Sequence, residues 1–163
     1  TGMAGIGFDA AMMRDTDEGL KRAVGNVAYV VAFARHIAMR PRPVRMRLDD
    51  QPEVRRRAVL MMVGNTGQLQ GGVWLFPGAK PDDGQLDVLI TAPTHLGKWA
   101  KLARSLLRRS SDPVVEYWAG SKVVFEVDNP IACEADGDID GMGTHFEFSV
   151  VPGAMLVIAP RTK

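Results

Sequence analysis

A chain of 163 residues with 46% hydrophobic side chains is the size of one domain and apolar enough to build a real core, which excludes a disordered segment. Twenty basic against nineteen acidic residues leave a net charge of +1, so no global field favours nucleic acid and an electrostatic partner must be met by a local patch. A single cysteine, Cys133, excludes an internal disulfide framework and fits a reducing compartment, and no apolar run reaches the roughly eighteen residues of a membrane span, so a soluble, cytoplasmic protein is expected.

The opening residues TGMAGIGFDAAM read as a strand entering a turn, and their abrupt start suggests a domain of a longer protein. A helix is predicted next: Thr16 or Asp17 caps it, Leu20, Val24, Val27, Val31, Ala34 and Ala38 recur at helical spacing, and the RPRP stretch ending at Pro43 stops it. Val44, Met46 and Leu48 then alternate with Arg45, Arg47 and Asp49, the period of a half-exposed strand, and residues 58–63 form a short buried run. After the turn GNTGQLQGG come VWLF, a Pro/Asp/Gly turn and a strand over residues 85–91. Thr94 is placed to cap a second helix, with Leu96, Trp99, Ala103, Leu106 and Leu107 on one side and Lys98, Lys101, Arg104 and Arg108 largely on the other. That basic face either is simply solvated or meets anionic lipid headgroups. From Val114 short strands follow, VVFEVD, HFEFSV and AMLVIA, with an acidic turn and Asn-Pro and Pro-Gly turns between them. Most strands join without intervening helices. The expected fold is therefore mainly β (α+β), a two-sheet antiparallel sandwich with two helical insertions, rather than a doubly wound parallel sheet.

Two acidic segments carry the chemistry. In EADGDIDG, Glu134, Asp136, Asp138 and Asp140 alternate, so on a continuing strand they share one face, where like charges raise some of their pKa values and improve a general base. Asp136, Asp138, Asp140, Gly141 and Glu147 also fit a calcium-loop pattern, although the flanking segments alternate like strands, not helices. In KPDDGQLDV, Asp82, Asp83 and Gly84 suit a tight turn on their own account, and a plain hairpin turn is the competing reading. The glycine groups GIGFDA and NTGQLQGG lack the spacing of a dinucleotide fingerprint; Asn65, Gly71 and Gly72 are read as turn formers. His36, His95 and His145 form no zinc pattern, and Trp74, Trp99 and Trp118 are read as packing.

The order GIGFDA, KRAVGNVAYVV, VGNTGQLQGG, FPGAKPDDGQLDV and a DGD turn leading into FEFSVVPGAMLVIAP resembles the C-terminal domain of the diacylglycerol kinase catalytic family. That group includes bacterial lipid kinases and sphingosine kinases and is distantly related to NAD kinases. The resemblance covers essentially all of residues 1–163 as a single C-terminal domain, while the family's N-terminal nucleotide-binding domain, with its Gly-Gly-Asp-Gly-Thr loop, has no counterpart in the sequence. It implies ATP-dependent phosphorylation of a lipid hydroxyl, with diacylglycerol as leading substrate and a sphingoid base as alternative. Carried over residue by residue, a structural magnesium is expected on the Asp83 side chain and the main-chain carbonyls of Lys80 and Gln85. The base that takes the hydroxyl proton is expected at Asp138, where the family usually has Glu, its carboxylate shorter by one methylene, roughly 1.5 Å; Asp136 is the reserve candidate. ATP would bind mainly to the N-terminal domain, so the isolated chain is expected to be inactive. The implied partners are that domain and a lipid substrate at the inner membrane face, with homo-oligomerisation open and no nucleic acid. A non-catalytic metal- or lipid-binding module and an NAD-kinase-like enzyme are the alternatives.

Overall fold

Alternation becomes a layer in the segment after Pro41. Val44, Met46 and Leu48 are buried, while Arg45 and Arg47 point outward, where they meet Glu126 at 3.3 and 3.4 Å. The computed structural model describes residues 2–7, 40–68, 74–108 and 115–154. Among these residues, eight strands and one helix follow in chain order: β1 (Met3–Gly7), β2 (Arg42–Leu48), β3 (Val54–Ala58), β4 (Leu60–Gly64), β5 (Leu86–Thr91), α1 (Leu96–Arg108), β6 (Val115–Gly120), β7 (Lys122–Ala135) and β8 (Asp138–Ser149). The first predicted helix, Gly71 and Gly72, and the AMLVIA strand beyond Ala154 lie outside the described residues.

All strand pairs are antiparallel, and the order is β3-β2-β7-β1-β4-β5-β6 with β8 on β7. The expected sandwich is thus made by one curled sheet. β7, 14 residues long, allows this: it pairs with β2 through Val123–Val127, with β1 through Cys133–Ala135, and with β8 through both parts. The two layers, β1-β4-β5-β6 and β3-β2-β7-β8, close on a core that includes Ile6, Met61, Val88 and Ile90 from one and Met46, Val123, Phe125 and Val127 from the other. Arg56 of β3 reaches Glu116 of β6 at 2.7 Å and lies 5.7 Å over the Trp118 ring, so the two end strands of the sheet meet through side chains. A second core covers the outer face of β1, β4 and β5, where Met3, Leu60, Met62 and Leu89 pack with Leu75, Phe76 and the Trp99 and Leu102 side chains of α1. β4 is consequently buried on both faces.

Four local expectations are corrected. The run 58–63 is the end of β3 and most of β4, separated at Val59, and β3 itself, with three consecutive arginines, was not foreseen. The Asn129-Pro130 pair does not turn the chain; it sits inside β7 where the register with β8 slips between Glu126 and Ile131, since proline has no N–H for the ladder. The second helix starts after His95, whose carbonyl accepts from the Lys98 and Trp99 amides at 2.9 and 3.2 Å. Of VWLF, Trp74 forms an isolated bridge with Gln68 and is followed by the buried Leu75 and Phe76, while Val73 lies outside the described residues.

The switch from one layer to the other occurs at Ser121, between β6 and β7, and it is held by Asp49. The Asp49 carboxylate accepts from the Ser121 amide at 2.9 Å, the Ser121 hydroxyl at 2.7 Å and the Lys122 amide at 2.8 Å. The Ser121 hydroxyl, then the Lys122 amide, hold the Asp49 pKa below its ordinary 3.8. A depressed carboxylate stabilises the fold above its unfolded pKa and loses that contribution as pH falls through its folded one. Asp49→Asn is therefore expected to be less stable than wild type at neutral pH, with the gap narrowing in urea titrations repeated at about pH 3.

Candidate active site

The acidic segment folds as a two-residue hairpin loop. Ala135 pairs with Asp138, leaving Asp136 and Gly137 with φ of 51° and 93°. Two positive φ values are what a type I′ turn needs, and Asp-Gly supplies them at low cost. This turn overturns the expectation of one shared carboxylate face. Glu134 is 4% exposed, with its carboxylate accepting from the Gly137 amide at 2.7 Å. Asp136 accepts from the Gly2 and Met3 amides at 2.8 and 2.9 Å, and its own amide donates to the Met3 carbonyl at 2.9 Å. Asp138 and Asp140 stand exposed on β8. The calcium-loop reading falls with it, because the loop is flanked by paired strands and Asp136 is committed to β1. Among the described residues the Asp138 carboxylate makes no hydrogen bond or ion pair. Asp136 therefore anchors the hairpin, and Asp138, one residue past the turn, is the exposed carboxylate nearest to it, with Asp140 exposed two residues further on.

Asp140 has no partner opposite it, since Cys133 pairs with Gly141 and Glu134 with Ile139. Burial, then the Asp140 and Glu134 charges, push the Cys133 thiol up to about 11. Thiolate is the reactive form. Iodoacetamide at about pH 8 is expected to leave Cys133 unmodified in the folded protein and to alkylate it promptly after denaturation, as read by mass spectrometry.

The Lys80, Asp83 and Gln85 set lies together in the long connection between β4 and β5. The Asp83 amide points at the Lys80 carbonyl at 3.5 Å, and Asp83 Oδ1 accepts from the Gln85 amide at 3.0 Å, with Gly84 at φ 75° completing the turn. All three residues are exposed. Asn65 Nδ2 donates to the Pro81 carbonyl at 3.5 Å, and Asn65 Oδ1 is buried without a partner. Burial, then the Asp83 charge, raise the Asp87 carboxyl above its ordinary value. Among the described residues no three His, Cys, Asp or Glu side chains are grouped to hold a metal. The turn does hold oxygens of the hard kind that magnesium takes: the Asp83 carboxylate, the Lys80 carbonyl and, beside them, the Asn65 amide oxygen. Asn65 and Asp87 were not picked out as part of this turn; the signal in the sequence was a carboxylate at an inward-leaning strand position of QLDV.

Pairing brings both segments to one end of the sheet. Met3 is opposite Gly64, Gly64 opposite Asp87, and Ala4 opposite Ala135. The Asn65 amide donates to the Gly2 carbonyl at 2.9 Å, so a continuous path of hydrogen bonds runs from Asp136 through Gly2 and Asn65 to Pro81. Gly64 is required there: a Cβ would lie 2.5 Å from the ring of the buried Phe76.

Residues 2–159 match the family described as the YegS C-terminal NAD kinase beta sandwich-like domain. The chain is 28% identical to a Mycobacterium tuberculosis protein named "Diacylglycerol kinase", over 98% of this chain and 52% of that one. It is 33% identical to a Chromohalobacter salexigens protein named "Probable lipid kinase YegS-like", over 98% and 51%. The crystal structure of a diacylglycerol kinase from Bacillus anthracis superposes with a TM-score of 0.66 at 22% identity, covering 93% of this chain and 49% of that one. The chain spans about half the length of the curated relatives it matches.

Proposed function

The chain belongs to the YegS C-terminal NAD kinase beta sandwich-like domain family, and from that premise we propose that it is the base-supplying C-terminal domain of an ATP-dependent lipid kinase, with diacylglycerol as leading acceptor and a sphingoid base as the alternative. The observation that carries the reading is the Asp136-Gly137 turn, which spends one carboxylate on holding the hairpin to β1 and leaves Asp138 exposed beside it. In this reading the Asp138 carboxylate takes the proton of the lipid hydroxyl as that oxygen bonds to the γ-phosphorus of ATP and ADP departs. Asp83, with the Lys80 and Gln85 carbonyls, would hold magnesium, which supplies fixed positive charge at the turn. Asn65 and Gly2 join that turn to the hairpin, so order in one is passed to the other. ATP is bound mainly by the half of the relatives that this chain does not match, and the chain alone is inactive.

The test is transfer of labelled γ-phosphate from ATP to detergent-dispersed diacylglycerol or sphingosine by the longest natural polypeptide that carries this chain. Labelled lipid is expected. An unlabelled lipid fraction would favour a non-catalytic binding module, the reading that the shorter Asp at the base position keeps open.

A further inference from the structure

Between Asp87 and Asp112 the sequence holds no acidic residue and five cations, Lys98, Lys101, Arg104, Arg108 and Arg109. On the strands, by contrast, Arg45, Arg47, Arg55, Arg56 and Lys122 form ion pairs at 2.7 to 3.4 Å. Among the described residues Lys98, Lys101 and Arg104 form none. α1 turns Trp99 and Leu102 into the second core, at 7% and 4% exposure. Its other side carries the exposed Lys101 and Arg104, with Lys98 at the margin and Leu96, at the helix start, 69% exposed. Successive residues step about 100° around a helix, which places Leu96, Lys101 and Arg104 on the same outward half.

We propose that this face of α1 docks on an anionic lipid bilayer, with Lys98, Lys101 and Arg104 at the headgroups and Leu96 entering the interface. The combination fits that partner best. Unpaired lysines and arginine are drawn to a negative surface, and a large apolar side chain beside them has a place to go in a membrane that nucleic acid does not offer. The choice of a bilayer also rests on the lipid-kinase reading, since such an enzyme must reach an acceptor that resides in one.

The test is flotation of the longest natural polypeptide with vesicles of phosphatidylcholine alone or mixed with phosphatidylglycerol. Binding to the anionic vesicles only, falling as salt rises, is expected. The Lys98→Gln, Lys101→Gln, Arg104→Gln triple variant should bind on the order of a hundredfold more weakly, since each cation held at an anionic surface contributes severalfold. Leu96→Ser should also weaken binding, whereas Arg55→Gln with Lys122→Gln, which removes paired cations, should not. Equal flotation with both vesicle types, or a triple variant that binds like wild type, overturns the proposal. Phosphorylation of detergent-dispersed lipid is assayed beside it: a triple variant that loses vesicles but keeps this activity supports docking. Vesicle binding without any lipid phosphorylation would sink the kinase reading and leave the docking face standing.

Discussion

Asp138→Asn is expected to lose about two to four orders of magnitude in kcat for phosphate transfer, the usual contribution of a positioned general base. The amide has nearly the carboxylate's shape but cannot take the proton. Because the Asp138 side chain is exposed and its carboxylate makes no hydrogen bond or ion pair among the described residues, the variant should fold and melt like wild type. Asp138→Glu should retain activity, since it restores the longer side chain usual in the family this chain resembles. Asp136→Asn behaves differently. Its carboxylate holds the Gly2 and Met3 amides, so its effect should follow the fraction folded and not the chemical step. Steady-state kinetics with thermal melts on the same preparations separate the two.

Phe125→Ala is expected to cost about 3–5 kcal/mol in urea unfolding, a large share of the roughly 5–15 kcal/mol that a domain has in total. Phe125 is fully buried, 0% exposed, in the core that both layers share. It lies opposite Met46 of β2 and Phe146 of β8, so its ring is contacted from both neighbouring strands. A change of less than about 1 kcal/mol would mean that the two layers do not close on this residue.

Much of the sandwich is legible in the sequence because the burial of its strands is periodic. Val44, Met46 and Leu48 announce β2 by alternation alone, and the apolar run of β4 announces a strand covered on both sides. β3 is hidden because Arg55, Arg56 and Arg57 leave only Val54 and Ala58 to mark an inner face. The Asn129-Pro130 pair misleads for a different reason. Local turn chemistry is overridden by β8, which pairs with β7 on both sides of the irregularity and carries the chain through it.

The candidate site divides in the same way. The Asp136-Gly137 turn is readable from two residues, but its consequence depends on Gly2 and Met3, more than 130 positions away. No local pattern could reveal that one carboxylate of the cluster is an anchor, that Glu134 is buried under the turn, or that Asn65 joins the hairpin to the Lys80–Gln85 turn. The sequence pattern singled out two acidic segments, and tertiary pairing decides which of their side chains are held, Glu134 and Asp136, and which stand exposed, Asp138 and Asp140.

The most direct measurement is a one-pot competition in which the longest natural polypeptide carrying this chain is offered labelled ATP with equimolar diacylglycerol, sphingosine and NAD, with Asp138→Asn run alongside. Label on a lipid, foremost diacylglycerol, and its loss in the variant are the predicted results. Label on NAD alone, no label on any acceptor, or a variant as active as wild type would contradict a lipid kinase whose base stands on this hairpin.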